Sequence, residues 1–413
     1  MSQHTEPTLT RRTLVGGSLA TGTLVATGAV SATAPAQAAP GRRPRVGVLA
    51  ERLPTRPRVA RRADALAAGL AIGLGVADAR ILRAETTSSN EDLAAAVEEL
   101  VRAGAQVVVA ALSTPTAARL GELCAEAKVA LVVANSGAHV VDEQTVAAAP
   151  RALHVSTQHW QSAMSAGGWA RRAHGRRMHV VVAGPDAGYD SVYALQRGFA
   201  AAGGTVVGTS LTHGATRLAD LVADVRASRP QVIGVCATGT RAAEIVNALR
   251  GAGVGVPIVL DPLAAESGAI TALGARGRGL HLVAPQADAG RRRALARALR
   301  SRGHASPDAY AILGYDTALL IAAGARRLGS RSWSSLPAVL AGARVAGVRG
   351  VQKVHPRLGT VSTPLAVYRI SRVDGASRLR AVVARPRIAG DRATAKVLRG
   401  RTASGYLNEY LTT

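Results

Sequence analysis

Aromatic side chains are scarce in this chain. They make up 3% of its 413 residues, and Phe199 is the sole phenylalanine. A core so poor in rings has to be filled by Val, Leu, Ile and Ala, which suits helices packed on sheets. No basic–aromatic pattern and no recognition helix is evident, so nucleic acid is not an expected partner. Cysteine is nearly missing too. Cys124 and Cys236 are too few for a disulfide framework, and both are expected to be reduced. Lysine occurs only at Lys128, Lys353 and Lys396, although Lys+Arg number 51 against 26 Asp+Glu. The net charge of +25 is therefore nearly all arginine, and the arginines are scattered. This reads either as the composition of a GC-rich genome or as attraction to an acidic partner such as an anionic cell-envelope polymer. Beyond residue 40 no apolar run is long enough to span a bilayer.

What is present is alternation of short apolar runs with amphipathic ones. Hydrophobic residues are 48% of the chain, and its length suits two domains. The organising stretch is 104–136, GAQVVVAALSTPTAARLGELCAEAKVALVVANS. Residues 107–111 form a continuous apolar run, as a strand buried on both faces of a parallel sheet requires. Thr114 then reads as an N-cap and Pro115 as the first helical residue. Residues 129–133 are a second buried strand. A helix N-terminus just past a strand's carboxyl end suits an anionic group such as a carboxylate.

Residues 1–38 read as an export signal. Thr10-Arg11-Arg12-Thr13-Leu14 resembles the twin-arginine motif, and Ala36-Gln37-Ala38 is a small-x-small cleavage site. Strands are then expected at 45–50 and 81–84, and helices at 58–74 and 90–102, the latter capped by Asn90. The cadence restarts with strands at 179–183, 205–210, 232–237, 258–260 and 281–285. Helices at 190–202, 219–228 and 240–253 separate them. Helices follow at 291–302, 308–328 and 333–341, then strands at 365–371 and 379–383. Such βα alternation predicts parallel sheets covered on both faces.

Several chemistry-bearing candidates fall away. Gly251-Ala252-Gly253-Val254-Gly255 follows a helix and precedes a strand, the reverse of a dinucleotide fingerprint. Gly69, Gly73 and Gly75 follow no suitable strand either. His154 and His159 are five apart with no acidic or Cys ligand nearby, so no metal is expected. No nucleophile elbow surrounds Ser136. Asp316 reads as a helix or hinge hydrogen-bonding residue. No catalytic residue and no cofactor is expected.

Residues 44–385 resemble the leucine/isoleucine/valine-binding type of type I periplasmic binding protein, the substrate-binding subunit of ABC importers. The likeness is carried by GAQVVVAALSTPTA, AKVALVVANSGA, Tyr189-Asp190 ahead of QRGFAAAGGTVVG, LADLVADVRASRPQVIGVCATG, AAEIVNALRGAGVGVPIVLDP and AYAILGYDTALLIAAGARR. The resemblance implies an α/β fold of two Rossmann-like lobes with parallel central sheets, joined by a three-crossing hinge. It implies a ligand carboxylate held by Ser113, Thr114, Asn135 and Ser136, with Tyr189 over the ligand. The family's second cleft tyrosine falls in Ala237–Thr240, where only small residues stand. Its ammonium-binding acid falls near Leu263, leaving Asp261, or less directly Glu266, to substitute. Glu51 and Arg52 replace the usual small, Gly-rich first loop.

The expected organisation is an export signal over 1–38, lobe 1 from 39–155 with about 287–350, lobe 2 from 156–286 with about 351–385, and a basic extension over 386–413. The expected protein is a monomeric, extracytoplasmic solute-binding protein. It takes a small-molecule ligand (an amino acid, carboxylate or amide) and delivers it to an ABC transporter permease. A ligand sensor, an anionic cell-envelope polymer binder and a hydrolase on an α/β scaffold are the alternatives.

Overall fold

The computed structural model describes residues 43–51, 57–87, 89–137, 152–212, 217–265, 272–305, 307–373 and 376–384. The expected export signal, Arg52, Glu266 and the basic extension lie outside the described residues.

Five parallel strands make the first sheet: β1 (Val46–Glu51), β2 (Leu82–Thr86), β3 (Val107–Ala111), β4 (Ala130–Asn135) and β5 (Ala152–Ser156). Their order is β2-β1-β3-β4-β5. The central strands are apolar throughout because both faces are covered. On one face Val46, Val48, Val107, Val109 and Val132 pack with Leu66 and Leu70 of α1 (Pro57–Leu74) and with Leu313 and Leu320 of α10 (Ala309–Leu328). On the other face Leu49, Val108 and Val133 pack with Leu93, Val97 and Leu100 of α2 (Asn90–Arg102).

The second sheet has seven strands. β6 (Arg177–Ala183), β7 (Thr205–Thr212), β8 (Val232–Cys236), β9 (Ile258–Leu260) and β10 (His281–Pro285) run parallel. The hairpin β14 (Leu365–Val373) and β15 (Ala376–Ala384) joins antiparallel to β10. The order is β15-β14-β10-β9-β8-β6-β7. Helices α5 (His159–His174), α6 (Gly184–Ala201), α7 (Leu218–Ser228) and α8 (Gly239–Gly251) cover its faces.

From β10 the chain passes to α9 (Ala289–Arg300) and then α10, which pack against α1. A small antiparallel sheet of β11 (Arg344–Gly347), β12 (Gly350–Val354) and β13 (Val361–Ser362) follows. A bridge between His154 and Thr360 attaches it beside β5. The chain thus passes between the two large sheets three times: after β5, after β10 and after β13.

Some expectations change at helix starts. Ser89, not Asn90, caps α2, its hydroxyl accepting from Asp92 N at 3.1 Å. The helix expected at 190–202 begins at Gly184, because Pro185 tolerates the first turn, where its missing N–H would go unpaired. Residues 333–341 resolve into a tight turn, Trp333–Ser335, and the short helix α11 (Leu336–Leu340). β5, α5 and β11–β13 carry no readable period. Helix α5 in particular is buried on nearly all sides and has no polar stripe to mark it.

Candidate functional site

Strand β3 ends in a loop rich in hydroxyls. Ser113 caps the five-residue helix α3 (Thr114–Ala118), accepting from Thr116 N at 3.2 Å and sharing a 2.8 Å hydrogen bond with Thr116 Oγ1. The cap is therefore Ser113, with Thr114 the first helical residue, one position before the expected start. α3 breaks at Arg119 before α4 (Leu120–Glu126), so a long helix dipole is not what this loop offers. What it offers is buried polar side chains.

β4 ends in the partner loop. Asn135 Nδ2 donates to Leu112 O at 3.0 Å and to Thr114 Oγ1 at 3.1 Å, while its Oδ1 accepts from Gly137 N at 3.0 Å. Asn135 thus ties the two loops and fixes their spacing. Ser136 follows, and its carbonyl accepts from Thr157 Oγ1 at 2.7 Å and from His159 N at 3.1 Å. Ser113, Thr114, Asn135 and Ser136 are all buried. Glu51, at the end of β1, is buried at the same sheet edge.

His159 is the link to the second sheet. It opens α5 just after the first crossing, and its Nε2 stands 3.2 Å from Asp261 Oδ2, with both side chains only 1% exposed. Asp261 directly follows β9, and its N–H donates to Val235 O at 2.9 Å on the adjacent β8. Burial, and secondarily the nearby Asp261 carboxylate, push the Cys236 thiol well above its ordinary pKa. Cys124 is pushed up to about 12 by burial alone. Both cysteines are free, buried and inert as nucleophiles.

Five of the six residues singled out from the sequence therefore gather around one region. Ser113, Thr114, Asn135 and Ser136 lie on the first sheet's carboxyl edge, and Asp261 approaches from the second through His159. Tyr189 lies in the second turn of α6, and its side chain falls outside what the structure describes. Among the described residues no group of three His, Cys, Asp or Glu side chains is placed to hold a metal.

Sequence reasoning missed the residues that brace the crossings. Gln158 adopts a left-handed backbone (φ 59°), which costs a residue with a Cβ. Its amide compensates: Nε2 donates to Thr363 O at 3.2 Å, and Oε1 accepts from Thr363 Oγ1 at 2.7 Å and from Thr363 N. The first and third crossings are thereby tied. Gln286 N donates to Pro364 O at 2.7 Å, tying the second to the third. Arg349 Nε donates to Asp316 Oδ2 at 2.9 Å, and its Nη1 to Ser156 O. No periodic pattern reveals such residues, because each pairs with one distant in sequence.

A family profile described as periplasmic binding protein matches residues 60–376. No curated protein matches the sequence. Among solved structures, an ABC transporter solute-binding protein from Rhodopseudomonas palustris HaA2, in complex with p-hydroxybenzoic acid, superposes with a TM-score of 0.68 at 19% identity. The match covers 85% of this chain and 99% of that one. An ABC transporter substrate-binding protein from Sphaerobacter thermophilus gives 0.69 at 17% identity, over 83% and 97% of the two chains. An ABC-type branched-chain amino acid transporter protein from Rhodopseudomonas palustris CGA009 gives 0.61 at 16%, over 82% and 96%.

Proposed function

The chain belongs to the periplasmic binding protein family, and on that premise we propose that it captures a small organic acid between its two large sheets and presents it to the permease of an ABC importer. The observation that carries this reading is the buried polar cluster at the facing loop ends: Ser113, Thr114, Asn135 and Ser136 on one side, with Asp261 set against His159 on the other. Hydroxyls stand there, and the Asn135 amide, spent on Leu112 O and Thr114 Oγ1, holds the two loops in place. Such a set recognises a carboxylate by hydrogen bonds, and gives it up again more readily than a buried ion pair would. The p-hydroxybenzoic acid held by the Rhodopseudomonas palustris protein supports an acid as the ligand class.

Capture works by hinge closure. The three crossings let the two sheets rotate, and ligand contacts made only in the closed form shift the equilibrium toward it. Binding proceeds without turnover. The protein acts as a monomer outside the cytoplasm, exported by the twin-arginine route through residues 1–38. Its +25 charge favours residence near an anionic envelope.

A thermal-shift panel of amino acids, aliphatic and aromatic acids, amides, sugars and nucleosides tests this on the chain from Ala39 onward. A ligand at 100 times its dissociation constant adds about 2.7 kcal/mol. The expected result is a shift of several degrees by one acid, lost on Ser113→Ala. A panel in which no compound shifts the melt, while the protein adsorbs to anionic polymer in a salt-sensitive way, would favour the polymer-binding reading instead.

A further inference from the structure

Two buried polar groups stand at the carboxyl edge of the second sheet. The first is Asp261, the acid nearest the position where the resemblance expects a partner for a ligand ammonium. His159 Nε2 already lies 3.2 Å from its Oδ2, and both side chains are shielded from water. His159 cannot easily withdraw. It is the first residue of α5, and its backbone N–H is bonded to Ser136 O at 3.1 Å. An ammonium placed against Asp261 would meet the imidazole ring already beside that carboxylate.

The second group is Thr238. It follows β8 and caps α8, a helix of 13 residues, yet its side chain makes no capping hydrogen bond. Thr238 is buried, and its Oγ1 has no hydrogen-bond partner among the described residues. A buried hydroxyl without a partner is destabilising, so it favours a ligand group that bonds it. β8 and β9 are neighbours in parallel register, with Val235 opposite Leu260. Their carboxyl ends therefore place Thr238 and Asp261 at the same edge, facing the same region.

We propose that this wall selects an acid bearing a neutral oxygen, a hydroxyl or carbonyl, in place of an ammonium, with Thr238 bonding that oxygen and His159 withholding Asp261 from the ligand. The inference rests on the solute-binding reading and deepens it. The hydroxyl of Thr238 can donate or accept, so it satisfies a ligand hydroxyl or carbonyl without a charge. A site built to bond an oxygen also rejects the analogue that lacks it, because its own polar group is then left unpaired.

The test uses trios that differ at one substituent: 4-methylpentanoate, 2-hydroxy-4-methylpentanoate and leucine; 3-phenylpropanoate, 3-phenyllactate and phenylalanine; succinate, malate and aspartate. Affinities are measured by calorimetry on the whole exported chain. In the trio that binds, the hydroxy acid is expected to bind at least tenfold tighter than the unsubstituted acid, and the amino acid weakest. Thr238→Val is expected to bring the hydroxy acid down to the unsubstituted one without lowering the melting temperature of the free protein, since it removes a hydroxyl that has no partner. His159→Leu is expected to raise amino-acid affinity at least tenfold. If that variant fails to fold, the trio ranking and Thr238→Val still decide the matter. An amino acid as the tightest member of a binding trio, or equal affinity for hydroxy and unsubstituted acids, overturns the inference while leaving the solute-binding reading intact. No binding by any trio member, with a hit elsewhere in the thermal-shift panel, overturns the inference alone, and no hit in either overturns both.

Discussion

Asp316 is a fully buried carboxylate in the middle of an otherwise apolar helix. Its neighbours account for it. Oδ1 accepts from Val348 N at 2.6 Å, and Oδ2 from Arg349 N at 3.2 Å and Arg349 Nε at 2.9 Å. Its backbone carbonyl accepts from Gln352 Nε2 at 3.1 Å. One side chain thus anchors the turn between β11 and β12 and holds the arginine that reaches Ser156 at the first crossing. Removing one partner leaves a buried charge uncompensated, so Arg349→Met should cost about 3–5 kcal/mol in a urea melt. The paired change Asp316→Leu with Arg349→Met should cost less than the single one. The hydrogen-bonding role of Asp316 is legible in sequence, since a lone acid in an apolar helix needs partners. Arg349 is not, because it stands among many arginines and only the fold tells it apart.

His281 behaves differently. Burial first, then the positive charge of His174 and Arg369, push its pKa from 6.5 down to about 4. The rings of His174, His281 and Trp169 pack together, with centroids 4.8 to 5.5 Å apart. The folded state resists a proton that the unfolded chain accepts near pH 6.5. Stability should therefore fall as the pH drops from about 6.5 to 4, and the effect should level off below that. Melts of His281→Phe across this range should show a shallower decline than the parent. Parallel curves would mean that this group is not responsible.

At the scale of elements, two helix pairs approach so closely that only glycine fits. A Cβ on Gly314 of α10 would fall on the Leu66 carbonyl of α1, and one on Gly69 would fall on the Ala311 carbonyl. In the second half, Gly167 of α5 and Gly198 of α6 meet Leu195 O and Met164 O in the same way. Each lobe's sheet is thus covered by helices packed backbone to backbone. Gly314→Ala should cost roughly 1–3 kcal/mol by overpacking, read as a lower denaturation midpoint. Gly255 has nothing within 4 Å of an added Cβ, so Gly255→Ala should be neutral or slightly stabilising.

The order of strands and helices is readable because buried parallel strands are apolar runs and amphipathic helices keep a 3.6-residue period. Helix α5 and strands β11–β13 are not readable. The former is buried almost all round, and the latter are short, with alternation too brief to register. Gly69 and Gly73 likewise show no purpose in sequence, since their reason lies on a distant helix.

At the scale of the whole molecule, two α/β halves meet at a three-stranded crossing braced by Gln158–Thr363, Gln286–Pro364 and Arg349–Ser156. The two loops that gather Ser113, Thr114, Asn135 and Ser136 belong to one sheet, and Asp261 to the other. The first four are legible because hydroxyls and an amide directly follow apolar strands. That His159 occupies Asp261 is not, since the two are 102 positions apart and meet only once both sheets are formed.

The central claim is that this cleft binds one small acid reversibly. Isothermal titration of the chain from Ala39 onward with the acid that most raises its melting temperature tests that claim most directly, with the ligand recovered afterwards and its identity checked by NMR. The account predicts a stoichiometry near one, a negative heat-capacity change from closure over the ligand, and recovery of the acid unchanged. Absence of heat with every acid, or recovery of a converted product, would contradict it.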